Sequence, residues 1–266
     1  MAAVRILGPN KLQSEEQVVY AILSRILMIA AVLIAPVANA QWTGKAELGA
    51  LLTDGNTESK SANTKLDLTH EGAQWKQNVY AAALYGESGG FATSERYEAR
   101  YQADRKITDR FSWFFGVRGE EDRFGAFAYQ ATVSTGASYK FIDSPSTKFD
   151  GSLGAGYKQF QPQQVNKSPA GAVLSRFKGD SDSEPVATVG SNFEHAFTES
   201  TKITNKFLGE LGSSNTALQD DLALQVNMSA VLALAVGLGV RYNSDPPLGA
   251  EGTDTQLTVN LVYNIK

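Results

Sequence analysis

The sequence predicts an all-β protein, a single transmembrane up-and-down antiparallel β-barrel of about twelve strands over residues 41–266. Three observations predict it: apolar and polar residues alternate in repeated segments, the connections alternate between short and long, and aromatic residues gather near strand ends. In the clearest segment, 96–104, tyrosine and alanine occupy one face while charged residues and glutamine occupy the other. A strand with one apolar and one strongly polar face fits a wall between lipid and water.

The first part of the chain has a different pattern, which predicts a signal peptide over residues 1–40. An almost unbroken apolar run covers 26–38, Arg25 precedes it, and Ala38-Asn39-Ala40 forms a small-x-small cleavage site. The run is shorter than the roughly 20 apolar residues of a spanning helix. A buried core helix is the alternative interpretation of this run.

Composition narrows the class of protein. Cleavage after Ala40 would remove three basic and two acidic side chains, so the net charge would change from −4 to −5, which argues against nucleic-acid binding. The chain has no cysteine, as suits an exported barrel that closes its own edges. This absence also excludes thiolate zinc sites and cysteine nucleophiles.

Each of the twelve predicted strands is near the ~9–11 residues that a tilted strand needs to cross the bilayer core. They cover residues 42–53, 58–70, 74–86, 96–104, 111–120, 127–140, 148–160, 184–197, 201–211, 216–228, 231–243 and 253–265. Asp54-Gly55-Asn56 is typical of a tight hairpin turn. A glycine-rich loop is predicted at 87–94, and the longest loop, which contains two prolines, at 161–183.

The connections and the aromatic residues agree with one topology. Even-numbered connections are mostly short and odd-numbered ones include the longer loops, which is the outer-membrane pattern of periplasmic turns and external loops. An even strand count places both termini in the periplasm. Aromatic residues fall near both ends of the strands, as in interfacial girdles: Trp42, Trp75, Phe111 and Tyr263 at one end, Tyr85, Phe127 and Tyr157 at the other. A secreted soluble β-sandwich that binds a ligand is the alternative fold.

Three segments carry a family resemblance: Trp-Thr-Gly-Lys-Ala-Glu-Leu-Gly at 42–49 with Thr-Asp-Gly-Asn-Thr-Glu at 53–58, Phe-Ser-Trp-Phe-Phe-Gly at 111–116 with Glu-Glu-Asp-Arg-Phe at 120–124, and Gly-Ala-Gly-Tyr at 154–157. They resemble the DUF481 family, whose YdiY-like members are described as salt-induced outer-membrane proteins. The resemblance covers about residues 41–265. It implies a barrel in the outer membrane of a Gram-negative cell and a link to salt stress, and it carries no catalytic residues.

Outer-membrane lipid and the barrel-assembly machinery are therefore the expected partners, and the oligomeric state is left open. Many outer-membrane barrels end on an aromatic residue that the assembly machinery recognises. This chain departs from that pattern, since it ends Tyr263-Asn264-Ile265-Lys266. The departure weakens the insertion signal without contradicting the barrel.

The sequence offers little support for catalysis, a metal or a cofactor. His70 and His195 fall on outward strand faces, where a lipid hydrolase would need a nucleophile and an orienting group. The glutamates beside them point to the opposite face, because adjacent strand residues do. Asp180, Asp182 and Glu184 lack the glycine and spacing of an EF-hand, so a solvated acidic loop is expected there. We expect a non-enzymatic protein, with a lipid-modifying enzyme as the alternative.

The remaining signal is the charged inner face. The side chains expected to line the lumen are Lys45, Glu47, Lys65, Asp67, Arg96, Glu98, Arg100, Asp104, Arg118, Glu120, Lys206, Glu210 and Arg241. They could line a narrow, porin-like pore, or pair across strands and fill a structural barrel. Their nearly balanced signs disfavour strong ion selectivity and favour a passive or weakly conducting wall, and both interpretations stay open.

Overall fold

The computed structural model describes residues 42–53, 59–168, 173–246 and 251–266, and these ranges form thirteen β-strands. The predicted signal peptide at 1–40 and the predicted turn at 54–56 lie outside them. Within these ranges, no helix is long and apolar enough to cross a membrane. The strands are β1 (Trp42–Thr53), β2 (Ser59–Glu71), β3 (Trp75–Ser88), β4 (Phe91–Lys106), β5 (Phe111–Asp122), β6 (Phe127–Asp143), β7 (Thr147–Lys167), β8 (Val173–Lys178), β9 (Asp182–Ala196), β10 (Thr201–Leu211), β11 (Thr216–Asn227), β12 (Leu232–Asn243) and β13 (Thr253–Ile265).

Twelve of these strands close into one antiparallel barrel. Each strand pairs with its neighbours in sequence, β7 pairs directly with β9, and β1 pairs with β13 to close the sheet. The strand β8 pairs only with the outer part of β7, as a hairpin beyond the barrel. The predicted barrel of about twelve strands is confirmed.

The two faces of the wall have inverted polarity compared with a soluble protein. On the outer face, Leu48 and Leu257 expose 63% and 72% of their surface. On the inner face, Glu98, Lys158 and Glu210 expose 4%, 1% and 3%. Burial of charged side chains inside an apolar exterior is the expected arrangement for a barrel that faces lipid.

The barrel has two distinct ends. The terminal end holds the start of β1, the end of β13 and the turns within 72–74, 107–110, 144–146, 197–200 and 228–231. The distal end holds the other connections, including the β7–β8 hairpin. Every turn at the terminal end is short, whereas the distal connections range from two residues to the long β7–β9 segment.

The predicted loop at 87–94 is wrong. The strands β3 and β4 continue to Ser88 and Phe91 and are joined by Gly89-Gly90 alone. These glycines have φ angles of 58° and 80°, which are the left-handed values that a two-residue hairpin turn requires. Glycine marked the turn correctly, and the polar residues beside it belong to the strands.

The predicted loop at 161–183 is also wrong in part. Strand β7 runs on to Lys167 and returns as β8, so most of this segment is a β-hairpin. Pro162 is tolerated because it lies where β7 leaves β6, opposite Phe127 at an irregularity in the register. Its carbonyl accepts a hydrogen bond from the amide of Gly179 (2.9 Å), which joins the base of the hairpin.

Glycines on the inner face make room for one large aromatic side chain. Phe114 is buried and points inward between the glycines of β6 and β7. A Cβ on Gly154 would lie 2.8 Å from Phe114 Cζ and 2.9 Å from Thr188 Oγ1. Non-bonded heavy atoms do not approach this closely, so a side chain at position 154 would collide with Phe114. Glycine at this position lets the strands pack around the ring.

The seam between β1 and β13 is short. Their pairing runs from Gly44 opposite Ile265 to Leu48 opposite Leu261 and does not continue toward the distal end. The β12–β13 pairing, in contrast, continues to Tyr242 opposite Thr253. Among the described residues, the seam is therefore the shortest strand pairing in the wall.

Candidate functional site

A cluster of seven charged side chains fills the middle of the lumen. We call it the central cluster: Glu98 and Arg100 on β4, Arg118 and Glu120 on β5, Lys158 on β7, Glu210 on β10 and Arg241 on β12. Residues two apart on a strand share a face, so β4 and β5 each contribute an inward Glu and Arg. With four cations and three carboxylates, the fully ionised cluster has a net charge of +1.

Glu98 is the hub of the central cluster. Its carboxylate accepts hydrogen bonds from Arg100 Nε (2.7 Å), Arg118 Nε (2.8 Å) and Arg241 Nη2 (2.9 Å). Hydrogen bonds between ionised groups at these lengths are among the strong ones in proteins. Three arginines thus converge on one almost fully buried carboxylate.

The strand register explains why an arginine from the opposite side of the barrel is needed to balance the charges on β4 and β5. Glu98 lies directly opposite Glu120, and Arg100 directly opposite Arg118, so like charges face each other across β4 and β5. Such pairs are destabilising on their own. Arg241 donates to Glu98 and to Glu120 (2.9 and 2.6 Å) and neutralises the repulsion between the two carboxylates.

The contacts of Arg241 cross the lumen. Strand β12 lies five strand steps from β4 by the shorter way around the barrel. A side chain cannot reach that far along the wall, because neighbouring strands are roughly 4.8 Å apart. The guanidinium therefore spans the interior, and the two walls are joined through charge.

A second set of pairs extends the central cluster to other strands. Arg118 Nη1 lies 3.5 Å from Glu210 Oε2. Lys158 Nζ lies 3.2 Å from the same oxygen, an ion pair without hydrogen-bond geometry. The Arg100 guanidinium also lies 4.6 Å from the ring centre of Tyr80, within range of a cation–π contact.

A separate crossing lies nearer the terminal end. Lys206 on β10 forms an ion pair with Asp67 on β2, which also accepts a hydrogen bond from Asn78 (2.8 Å). Lys65 on β2 lies 3.9 Å from Asp221 on β11. Side chains therefore span the lumen at two levels.

The other side chains expected in the lumen pair close to their own strands. Lys45 lies 2.8 Å from Glu47, which also accepts a hydrogen bond from Asn260 (3.0 Å). Arg96 lies 3.7 Å from Asp122. Asp104 accepts a hydrogen bond from Gln102 (3.0 Å) and has no ion pair within the described residues. These groups line the wall without crossing it.

Sequence reasoning missed several members of this arrangement. Lys158, Tyr80 and Asp221 were not among the predicted lumen residues, although each occupies an inward position. For Lys158 the sequence held a usable signal, because alternate residues of a strand point to opposite faces. Leu153 and Tyr157 are outward and exposed, and Lys158 lies an odd number of residues from each, so it points inward. Tyr80 lacks such a signal, because an aromatic residue on a charged face is ambiguous.

A small cavity lies on the distal side of the central cluster. Its volume is about 40 Å³, and it lies between Arg118, Arg241 and the distal residues Asp122 and Asn243. A cavity of this size can hold a few water molecules, since each needs roughly 10–15 Å³ of such space. At the terminal end, a recess of about 620 Å³ opens beside Lys202 and Gln225. The charged cluster therefore has a small cavity on its distal side, and a separate open recess lies at the terminal rim of the barrel.

The two histidines lie near the terminal end, away from the central cluster. The His70 ring lies 5.6 Å from the ring of Trp42. His195 Nδ1 lies 2.9 Å from Thr147 Oγ1, and its ring lies 5.0 Å from that of Phe197. Within the described residues, no carboxylate contacts His195, so the group that would orient a catalytic base is absent there.

The acidic residues of the predicted 161–183 loop region do not converge on a metal site. Glu184 instead accepts hydrogen bonds from Ser213 Oγ (3.0 Å) and the Ser214 amide (2.8 Å) in the β10–β11 turn. No group of three or more potential metal ligands occurs within the part of the chain that the structure describes. Glu184 therefore has a structural contact of its own.

Comparisons with known proteins gave matches of three kinds: a family model, a relative and solved structures. A family model described as "Protein of unknown function, DUF481" matches residues 46–265. The uncharacterized protein YdiY of Escherichia coli (strain K12) is 24% identical over 224 residues, which cover 84% of this chain and 82% of YdiY. The NanC porin matches with a TM-score of 0.45 and 9% identity over 84% of this chain and 99% of that one. The KdgM porin matches with a TM-score of 0.40 and 13% identity over 84% and 98%.

Proposed function

The chain belongs to the DUF481 family of proteins of unknown function, and we propose that it is a non-enzymatic outer-membrane barrel whose lumen the central cluster holds almost closed. The observation that carries this proposal is the pair of hydrogen bonds from Arg241 to Glu98 and Glu120 across the interior. A barrel whose lumen is spanned by side chains is either filled, and so does not conduct, or is a pore of very small conductance.

The exterior supports a membrane location. Large apolar side chains are exposed around the wall, with aromatic residues such as Trp75 and Trp113 among them toward the terminal end. A soluble protein rarely exposes so continuous an apolar surface. We infer that the terminal end faces the periplasm, that residues 1–40 direct export before they are removed, and that outer-membrane lipid and the assembly machinery are the partners.

The charge of the central cluster sets the expected selectivity. Its net charge of +1 predicts a weak preference for anions in whatever small current passes. Arg100 lies deep in the cluster and Arg96 on its distal side, so reversing both charges should move the preference toward cations. Unchanged selectivity in a barrel that still conducts would contradict a path past these two side chains.

The main test is ion flux from vesicles that contain the refolded mature protein. The wild type should release ions slowly, and the double variant Glu120→Ala/Arg241→Ala should release them many-fold faster. This variant removes one charge of each sign and leaves Glu98 paired with Arg100 and Arg118. It therefore opens space without leaving an uncompensated buried charge.

A matched control uses a pair that does not cross the lumen. Lys202 and Glu194 form an ion pair of 2.9 Å between the adjacent strands β10 and β9. The variant Glu194→Ala/Lys202→Ala should leave the flux at the wild-type value. Fast flux through the wild type, or equal flux through both double variants, would contradict a lumen closed by the central cluster.

Lipid hydrolysis is the second candidate, and the Thr147–His195 contact of 2.9 Å is the observation that favours it. A threonine hydroxyl beside an imidazole can act as an activated nucleophile. We propose that this pair is structural, because no described group orients the imidazole. Wild-type protein should then release no more fatty acid from phospholipid vesicles than the His195→Ala and His70→Ala variants; a wild-type activity that either variant abolishes would support the enzyme.

A role in salt stress is a further proposal, and it rests on the family resemblance alone. Deletion of the gene should reduce growth or envelope integrity in high salt. Unaltered growth and integrity would remove the salt link and leave the barrel proposal in place.

A further inference from the structure

An acidic side chain lies on the lipid-facing surface of the barrel. Outward positions on β11 alternate along the strand, and Leu222 and Leu224 are both exposed there. Asp220 has the same parity and faces Phe207 on β10 and Val240 on β12. The carboxylate thus lies on a mainly apolar face, beside large apolar side chains of the neighbouring strands.

Depth and incomplete pairing together set Asp220 apart from the other outward charges. It lies four positions along the strand from the distal start of β11 at Thr216. With a rise of ~3.3 Å per residue and a tilt of ~40°, this places it about 10 Å along the barrel axis from that end. Four other outward charged residues, Lys60, Glu87, Arg105 and Glu121, lie within two residues of a strand end. Glu95 on β4 is outward and lies four positions from the strand start, but both of its carboxylate oxygens are bonded, to the Tyr97 hydroxyl (3.2 Å) and to Arg123 (2.9 Å).

The carboxylate is only partly satisfied within its own chain. Asn205 Nδ2 donates a hydrogen bond of 2.8 Å to Asp220 Oδ1 from the neighbouring strand. Within the described residues, Asp220 Oδ2 has no partner, and Asn205 makes no second side-chain hydrogen bond. Lipid tails offer no donor at this depth, so a half-paired carboxylate is costly there.

We propose that Asp220 and Asn205 form the centre of an interface with a second copy of this chain in the membrane. The pair presents a free acceptor and a free amide N–H on one patch. A two-fold axis through such a patch is self-complementary, because each Asn205 can donate to the Asp220 of the other copy. Polar side chains such as Asn hydrogen-bond between transmembrane helices, where water is absent, and the same chemistry is available to this pair.

The residues around Asp220 and Asn205 suit contact with a second copy of the chain. Phe207, Leu222 and Val240 are apolar and can pack against the same residues of the other copy around the polar centre. Such a ring would exclude lipid and water from the hydrogen bonds, as the rim of an interface does. The proposal rests on insertion of the barrel into a membrane and is independent of whether the lumen conducts.

Cross-linking tests this interface directly, because the chain has no cysteine of its own. A single cysteine at Leu222, next to Asp220 on the outward face, should form a disulfide-linked dimer when purified protein in lipid vesicles is oxidised. A cysteine at Ala99 on β4 is the control, since it is outward and exposed but lies six strand steps away. The Ala99→Cys protein should stay monomeric at the same ratio of protein to lipid.

The polar pair is then removed from the cross-linking variant. Asp220→Leu and Asn205→Leu should each lower the dimer fraction of Leu222→Cys about tenfold or more, since each removes hydrogen bonds to a charged acceptor. Heat-modifiable mobility on gels confirms that every variant is folded, and vesicle ion flux should remain at the wild-type value.

Three results would overturn the proposal. One is the absence of dimer at Leu222→Cys, and another is equal cross-linking at Ala99→Cys, which indicates random collision. The third is a dimer that survives Asp220→Leu in a folded barrel, because the contact then does not depend on the polar pair. A cross-link to a different protein in cells, without a dimer in vesicles, would assign the patch to that partner instead.

Discussion

Replacement of Arg241 by methionine should destabilise the barrel by about 2–4 kcal/mol. The side chain donates hydrogen bonds of 2.6 Å to Glu120 and 2.9 Å to Glu98, and its exposed fraction is 22%. A hydrogen bond to a charged group contributes roughly 1.5–3 kcal/mol, and partial hydration of the guanidinium lowers the sum. Methionine keeps an apolar stem of similar length, so the loss reports the charge and its bonds.

Equilibrium urea unfolding of the protein in lipid vesicles measures this loss. After the substitution, Glu98 and Glu120 still face each other in register. Arg118 is then the arginine that bonds to both carboxylates. Addition of Glu120→Gln removes one of the repelling charges, so the double variant should be more stable than Arg241→Met. A coupling free energy of about 1.5–3 kcal/mol between the two positions is expected.

The control is Lys202→Met, which breaks the ion pair with Glu194 at the terminal end. Both of these side chains are about one-third exposed, so a loss of about 0–1 kcal/mol is expected. A loss of this small size for Arg241→Met, or an absence of coupling to Glu120→Gln, would refute the assignment of Arg241 as a link across the lumen.

Three further predictions concern export, closure and packing. Mass spectrometry of the protein from outer membranes should give a chain that begins at Gln41; an intact N-terminus would contradict the signal peptide. Cysteines at Leu48 and Leu261, which face each other at the last pair of the β1–β13 seam, should form a disulfide that raises the temperature at which the folded gel band is lost, and reduction should reverse the gain. Gly154→Val should reduce the folded fraction sharply, because its Cβ alone would lie 2.8 Å from Phe114 Cζ; normal folding would show that the wall can move apart there.

The strands were predictable because one physical rule governs the whole wall. Each strand separates lipid from a polar interior, so its residues alternate, and β1, β10 and β13 begin and end at the predicted residues. The errors lie where alternation stops being informative. Around Gly89-Gly90 and Pro162, turn-forming residues suggested loops, whereas the strands continue on either side.

Alternation along each strand predicted that the side chains of the central cluster point inward, but it did not predict which of them contact one another. Arg241 and Glu98 are 143 residues apart, and their contact depends on how the barrel closes and on the stagger of its strands. Alternation along one strand carries no information about the opposite wall. The sequence therefore left open whether the charges line a pore or fill it.

Asp220 shows a different limit. It precedes Asp221, and only one of two adjacent strand residues can face the lumen. The leucines at 218, 222 and 224 place Asp220 with the outward set, and the structure pairs Asp221 with Lys65 inside and Asp220 with Asn205 outside. The signal was present in the sequence, and it contradicts the expectation that this face is apolar.

Single-channel conductance in a planar bilayer tests the central claim most directly, with the wild type and the Glu120→Ala/Arg241→Ala variant measured in the same salt. A lumen closed by the central cluster predicts a silent or barely conducting wild type and discrete, much larger steps from the variant. Large, reproducible steps from the wild type, unchanged in the variant, would mean that the lumen is open and that Arg241 does not close it.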